Sequence, residues 1–163
     1  MKCMKIAAAV VLCLGVGQAF AQTCAAPTAL TAAGVSNVNG CAQSNTVSVV
    51  CSFANNPSPD TIFSFTLGAG FTATAITLTN VTGSPFQPQM ILQQACGSTD
   101  ECLVTGNAAS VGAGTSLTLT GQAAGAYFLV VNGTSTGSAA DCGTFSLALN
   151  GTLPVQLQKF SVD

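Results

Sequence analysis

Histidine, arginine and tryptophan are absent from this 163-residue chain, and two of its three lysines, Lys2 and Lys5, stand within the first five residues. Without histidine a serine or cysteine nucleophile has no imidazole base, and the commonest transition-metal ligand is missing. Beyond residue 5 the one cation is Lys159. That excludes the clustered lysines and arginines that displace counterions from nucleic acid or hold an anionic membrane surface. A single tyrosine and no tryptophan leave little for stacking on sugar rings. What the chain does have is cysteine, eight residues of it, together with 17 glycines and abundant threonine, serine and asparagine.

Long apolar runs are equally scarce. The one at the amino terminus follows Met1-Lys2-Cys3-Met4-Lys5, covers 6–16 and ends in Ala19-Phe20-Ala21. A basic start, a short greasy centre and a small-x-small site are the pattern of a secretory signal peptide cut near Ala21. The run is shorter than the ~20 residues of a spanning helix, and no second run follows, so no transmembrane anchor is expected. Leu12 before Cys13 and Thr23 before Cys24 do not supply the small residue that a lipid-acceptor cysteine needs. The exported chain then carries Lys159 against Asp60, Asp100, Glu101, Asp141 and Asp163, one cation against five acids, or a net charge near −4. Its expected destination is the periplasm or the cell exterior.

Cys3 and Cys13 leave with the signal. Cys24, Cys41, Cys51, Cys96, Cys102 and Cys142 remain, an even number in an oxidising compartment, which predicts three disulfides. Sequence does not choose among the fifteen or so connectivities that six cysteines allow. The short turn-rich segments between Cys41 and Cys51 and between Cys96 and Cys102 favour local closure, which leaves Cys24 for Cys142. With no C-x2-C pair and no histidine, the competing reading of a zinc site has little to rest on.

Short stretches in which apolar residues alternate with Thr and Ser recur between Gly, Asn and Pro, and no stretch sustains a 3.6-residue stripe. Strands are expected at 46–53, 61–67, 71–79, 89–94, 115–120, 126–132 and 144–150, with a last one at 155–162. About eight strands at this spacing predict an all-β, antiparallel two-sheet sandwich. The run Ala126-Tyr127-Phe128-Leu129-Val130-Val131 reads as a central strand covered on both faces. Segment 25–45 is either an irregular arm or a lead-in strand around 35–38. The expected organisation is a signal over 1–21, an arm and first strands over 22–59 joined to a sandwich core over 60–152, and a terminal strand or tail over 153–163.

Asp60-Thr61-Ile62-Phe63-Ser64-Phe65-Thr66-Leu67 followed by Gly68-Ala69-Gly70 resembles the opening of the bacterial pre-peptidase C-terminal domain. The later segments Leu117-Thr118-Leu119, Gly125-Ala126-Tyr127-Phe128-Leu129-Val130-Val131-Asn132-Gly133 and Gly143-Thr144-Phe145-Ser146-Leu147 are similar to that family's closing strands. The resemblance covers about residues 60–150. It implies a jelly-roll-like sandwich, free-standing here, that is non-catalytic and aids secretion, stability or attachment of extracellular proteins to polymers. Some members bind calcium. This chain departs from the family pattern where Pro85-Phe86-Gln87-Pro88-Gln89-Met90-Ile91-Leu92 replaces an acidic middle strand, so the calcium ligands of that strand are not carried over.

A catalytic role has few residues to draw on. A Ser–Lys dyad would rest on Lys159, and a glycosidase-like pair on Asp60 and Asp141; Asp60, after Asn55-Asn56-Pro57-Ser58-Pro59, reads more simply as a turn or strand-start residue. No enzyme is expected. Calcium is the metal that the composition permits, because it takes carboxylate and carbonyl oxygens. Asp100, Glu101 and Asp141 are its candidate ligands if their loops share one end of the sandwich; the competing reading is solvated acids in disulfide loops. Asn80, Asn132 and Asn150 each head an Asn-x-Thr sequon. The tail alternates, and Val155, Leu157, Phe160 and Val162 would form either a last edge strand or a strand added to a partner's sheet. The expected partners are an extracellular protein or polysaccharide polymer, and the alternative to a binding module is a surface or matrix subunit assembling through that tail.

Overall fold

The computed structural model describes residues 23–47, 49, 50, 53, 54, 57–81, 86–98, 101–134, 141–151 and 153. In chain order the strands are β1 (Thr28–Ala29), β2 (Val35–Asn39), β3 (Val49–Val50), β4 (Phe53–Ala54), β5 (Thr61–Leu67), β6 (Ala75–Asn80), β7 (Pro88–Gln93), β8 (Val104–Asn107), β9 (Thr115–Thr118), β10 (Gly125–Gly133) and β11 (Thr144–Asn150). A five-stranded sheet has the order β1-β5-β10-β7-β8, a four-stranded sheet the order β2-β11-β6-β9, and β3 pairs with β4 in a separate ribbon. Apart from the short parallel pairing of β1 with β5, every ladder is antiparallel.

The connectivity is that of a long hairpin rolled up. With β7 and β8 at its tip, β6 pairs β9, β5 pairs β10 and β2 pairs β11, and successive pairs fall in alternate sheets. Two further ladders, β10 with β7 and β11 with β6, close each sheet around its own middle. This is jelly-roll topology.

Alternation along the strands decides what lies between the sheets. Phe63, Phe65 and Leu67 of β5, Met90 and Leu92 of β7, and Tyr127, Leu129 and Val131 of β10 face Ile76 and Leu78 of β6, Leu117 of β9, and Phe145 and Leu147 of β11. Burying one such side chain contributes about 1.5–3 kcal/mol. Phe145 stands at the junction, edge-on to Phe63 at 6.4 Å and tilted against Phe86 at 5.9 Å. The Tyr127 ring stacks on Phe65 at 5.8 Å and its hydroxyl donates to Ala123 O at 2.7 Å, which satisfies a polar group that burial would otherwise penalise.

The outer face of the five-stranded sheet is also apolar. Ile62, Ile91 and Val130 pack under Val47, with Cys24, Cys96, Cys102 and Phe128 around them. All six residues of β7 are buried, and β10 lies between β5 and β7, the central place that its continuous apolar run predicts. The alternating strands β6, β9 and β11 bury one face and leave the other to solvent.

Several expectations change. The strand expected over 46–53 is replaced by an irregular stretch through Val47 and the β3 and β4 ribbon, because Val47 serves as a cover over the sheet and not as part of its ladder. The strand expected from 71 begins at Ala75, after a turn in which Phe71 N donates to Gly68 O. β8 has no counterpart among the expected strands. Its Val-Thr-Gly-Asn sequence carries little apolar signal, and Gly106 is there because its backbone passes so close to β9 that a Cβ would lie 2.7 Å from Ser116 O. The alternative of a lead-in strand near 35–38 is realised as β2.

The disulfides are the largest correction. Cys24 bonds Cys96 and Cys41 bonds Cys142, so none of the expected pairs Cys41–Cys51, Cys96–Cys102 and Cys24–Cys142 forms. The cause is tertiary. Gly40, in the 3₁₀ turn Gly40–Ala42, donates its N–H to Gly143 O at 3.0 Å, which brings Cys41 to the start of β11 and not to its near neighbour in sequence. Cys102 is also disulfide-bonded, with its partner outside the described residues. Bridges spanning 72 and 101 residues restrict the unfolded chain far more than local ones do; the loop-closure model gives each about 4–5 kcal/mol. Both tie the segment before β5 to the sandwich, so the arm belongs to the same folded unit.

Candidate functional site

Glu101 lies in the loop between β7 and β8, where its carboxylate caps a turn. Its Oε2 accepts from Ala95 N at 2.6 Å, and its backbone N donates to Ser98 Oγ at 3.1 Å. Gln93, the buried last residue of β7, fixes the rest of that loop. Its Nε2 donates to Ser98 O and Glu101 O at 2.8 and 2.9 Å, and its Oε1 accepts from Gly97 N at 3.0 Å.

Asp141 is buried at the other end of the sandwich, just before β11. Its Oδ1 accepts from Gln87 N at 3.1 Å, and its carboxylate rests against Gly133, where any Cβ would overlap it. Gly133 pairs with Pro88 at the start of β7, whereas the Glu101 loop leaves from Gln93 at its end. Five residue steps at the strand rise separate these ends by about 17 Å. Glu101 and Asp141 therefore do not converge on a calcium ion, and Asp100 lies outside the described residues. Among the described residues no group of three or more His, Cys, Asp or Glu side chains is placed to hold a metal.

Asp60 is the carboxylate with the richest surroundings. It precedes β5 directly and is fully buried. Its Oδ2 accepts from Thr46 N at 2.8 Å and Val47 N at 2.7 Å, its Oδ1 accepts from Asn132 Nδ2 at 3.3 Å, and its own N–H donates to Ser44 O at 3.1 Å. Loss of water around the carboxyl raises its pKa above the ordinary 3.8, and the three hydrogen bonds oppose that rise without cancelling it. The strand-start reading of Asp60 is correct in place but incomplete, because its partners are 13, 14 and 72 residues away in sequence. An aspartate heading an apolar strand straight after a Pro-rich turn was the one available signal.

Asp60 and Asp141 do not make a glycosidase-like pair. Along β5, Ile62 belongs to the outer cluster and Phe63 to the inner core, so by alternation Asp60 is on the outer face of the five-stranded sheet. The Asp141 carboxylate fills the space that a side chain at Gly133 would take, and Gly133 has the same parity on β10 as inward-facing Val131. One sheet thus stands between the two acids. Tyr127, the tyrosine that a sugar-stacking face would need, is core.

The exposed ladder positions of the four-stranded sheet are small and uncharged. Asn150, Ala75 and Thr118 lie opposite one another in a row, and Ala148, Thr77 and Ser116 form the next. Their polar groups are tied down: Ser116 Oγ donates to Ile76 O at 3.3 Å, and Asn150 Nδ2 donates to Thr77 Oγ1 at 2.9 Å. Of the three sequon asparagines, Asn80 donates its amide to Phe86 O and Ala113 O and Asn132 is buried on Asp60, which leaves Asn150 on the surface.

No family model, curated protein or solved structure matches this chain. Of the expected partner-binding tail, Val155, Leu157, Phe160 and Val162 lie outside the described residues; Leu153 is partly buried against the core.

Proposed function

We propose that the protein is an exported, non-catalytic β-sandwich module that acts outside the cytoplasm by binding or stabilising an extracellular protein or polysaccharide polymer, as the resemblance to pre-peptidase C-terminal domains implies. Two described disulfides suit an oxidising compartment, and no described helix is long and apolar enough to cross a membrane. The observation that carries the reading is the use made of the acids. Asp60 accepts from the backbone N–H groups of Thr46 and Val47, Glu101 from that of Ala95 and Asp141 from that of Gln87, so the described acidic side chains are joints of a scaffold.

Co-sedimentation of the exported chain with insoluble polysaccharide and protein polymers, paired with size-exclusion chromatography, tests this. Retention on a polymer by a monomer supports the binding module. A concentration-dependent oligomer that ignores every polymer favours the matrix-subunit reading instead. Hydrolysis of any such polymer by the purified chain contradicts both.

A further inference from the structure

The sequence holds three Asn-Gly pairs, Asn39-Gly40, Asn132-Gly133 and Asn150-Gly151. Glycine has no Cβ to shield its backbone nitrogen, so that nitrogen can attack the side-chain amide carbon of the asparagine before it. Whether it does depends on how freely the two residues turn. We propose that Asn150-Gly151 is a site of spontaneous deamidation in the folded protein, and that the reaction places a carboxylate among the uncharged outer rows of the four-stranded sheet.

The fold separates the three pairs. Asn132 and Gly133 are buried in β10, the strand between β5 and β7. Gly133 pairs with Pro88, Thr134 N donates to Gln87 O at 2.9 Å just beyond it, and the Asp141 carboxylate lies against it. Turning that pair requires the middle of a sheet to open. Asn39 is exposed, but its Oδ1 accepts from Cys41 N at 3.1 Å, and Gly40 N donates to Gly143 O at 3.0 Å beside the Cys41–Cys142 disulfide.

Asn150 is also exposed, and it is the last residue of β11, opposite Ala75 on the final rung. Gly151 lies past that rung, and none of the described residues accepts from its N–H. Thr74 N donates to Asn150 O at 2.8 Å, and Asn150 Nδ2 donates to Thr77 Oγ1 at 2.9 Å. Freeing such a strand end costs far less than opening a sheet. The glycine is required there, because its φ is +117° and a Cβ would overlap Thr72 O and Ala73. The fold therefore keeps the reactive pair.

Gly151 N, having given its proton to hydroxide, forms a bond to Asn150 Cγ, and Nδ2 leaves as ammonia with a proton from water. The product is a cyclic succinimide. Water then opens it, at Cγ to give aspartate or at the backbone carbonyl carbon to give isoaspartate, and no oxidant or reductant takes part. Aspartate fits the site, since the Thr77 hydroxyl that accepts from Asn150 Nδ2 can turn and donate to a carboxylate. Isoaspartate lengthens the backbone and breaks the final rung. Ala75 and Thr118 in the same row, and Ala148, Thr77 and Ser116 in the next, carry no charge, so either product gives these rows their first.

The test follows the chain in mildly alkaline buffer, native in one arm and reduced and denatured in the other, with peptide mass mapping of deamidation at residues 39, 132 and 150 over time. In the denatured arm all three pairs should react at comparable rates. In the native arm Asn150 should stay within about tenfold of its denatured rate, and Asn39 and Asn132 should be slowed by more than ~tenfold. The acidic species that accumulates on isoelectric focusing of the native chain should be missing from Asn150→Gln, whose longer side chain closes a ring far less readily. Asn39 or Asn132 reacting first in the native arm, or Asn150 slowed as much as Asn132, overturns the site. If Asn150→Gln does not fold, the two wild-type arms decide alone.

Discussion

The two sheets of this jelly roll share one core yet treat their outer faces in opposite ways. Over the five-stranded sheet, Ile62, Ile91 and Val130 are sealed by Val47 and a rim of cysteines. Over the four-stranded sheet the rows of Thr, Ser, Ala and Asn face solvent. The difference follows from sequence pattern. A strand buried on both faces must be apolar at consecutive positions, as β10 is, and a strand buried on one face alternates, as β6 and β11 do. The covered face also explains the cysteines, because a short arm with little secondary structure of its own needs covalent and hydrogen-bonded fastening to stay in place. Asp60, Cys24–Cys96 and Cys41–Cys142 supply it.

Substitutions that separate the shared core, the covered face and the bare face should rank in that order. Phe145→Ala removes the ring that touches both Phe63 and Phe86 and should cost about 3–5 kcal/mol in a urea-melt midpoint. Ile91→Ala acts on the covered outer face and should cost about 2–5 kcal/mol, a core-like penalty for a residue outside the main core; a loss under ~0.5 kcal/mol would show that the arm does not seal that face. Replacing Cys41 and Cys142 together by Ser should destabilise by about 2–5 kcal/mol. That loss should vanish when the parent is compared under reducing conditions. Gly133→Ala forces a methyl into the Asp141 carboxylate and should cost about 1–3 kcal/mol through local overpacking. At the small end, Ser116→Ala and Thr118→Ala on the bare face should change stability by no more than about 0.5 kcal/mol. A polymer-binding loss in either variant with stability unchanged would place the binding surface there.

Much of the fold was legible. The segments of β5, β10 and β11 show their alternation or apolar continuity plainly, and strand count and spacing lead to a sandwich. β8 was not legible, because a four-residue strand with Gly106 at its point of closest approach has almost no pattern to read. The candidate site was less accessible for one reason in several forms: its relations are long-range. Neighbouring cysteines in sequence invite local pairing, yet the rolled hairpin brings Cys41 to Cys142 across 101 residues. Glu101 and Asp141 each sit beside a cysteine in sequence, but which end of the sandwich a loop occupies is a property of topology. Asp60 could be read as the head of a strand; the amides of Thr46 and Val47 that it holds could not.

The contrast between a stitched face and a bare one stands on the arm being joined across the sheet and not closed on itself. Proteolysis of the chain without reduction, with mass-spectrometric assignment of the linked peptides, reads this directly. The expected species join Cys24 to Cys96 and Cys41 to Cys142, each cleaved to two separate peptides on reduction. Peptides linking Cys41 to Cys51 or Cys96 to Cys102 would contradict the covered face and the account built on it.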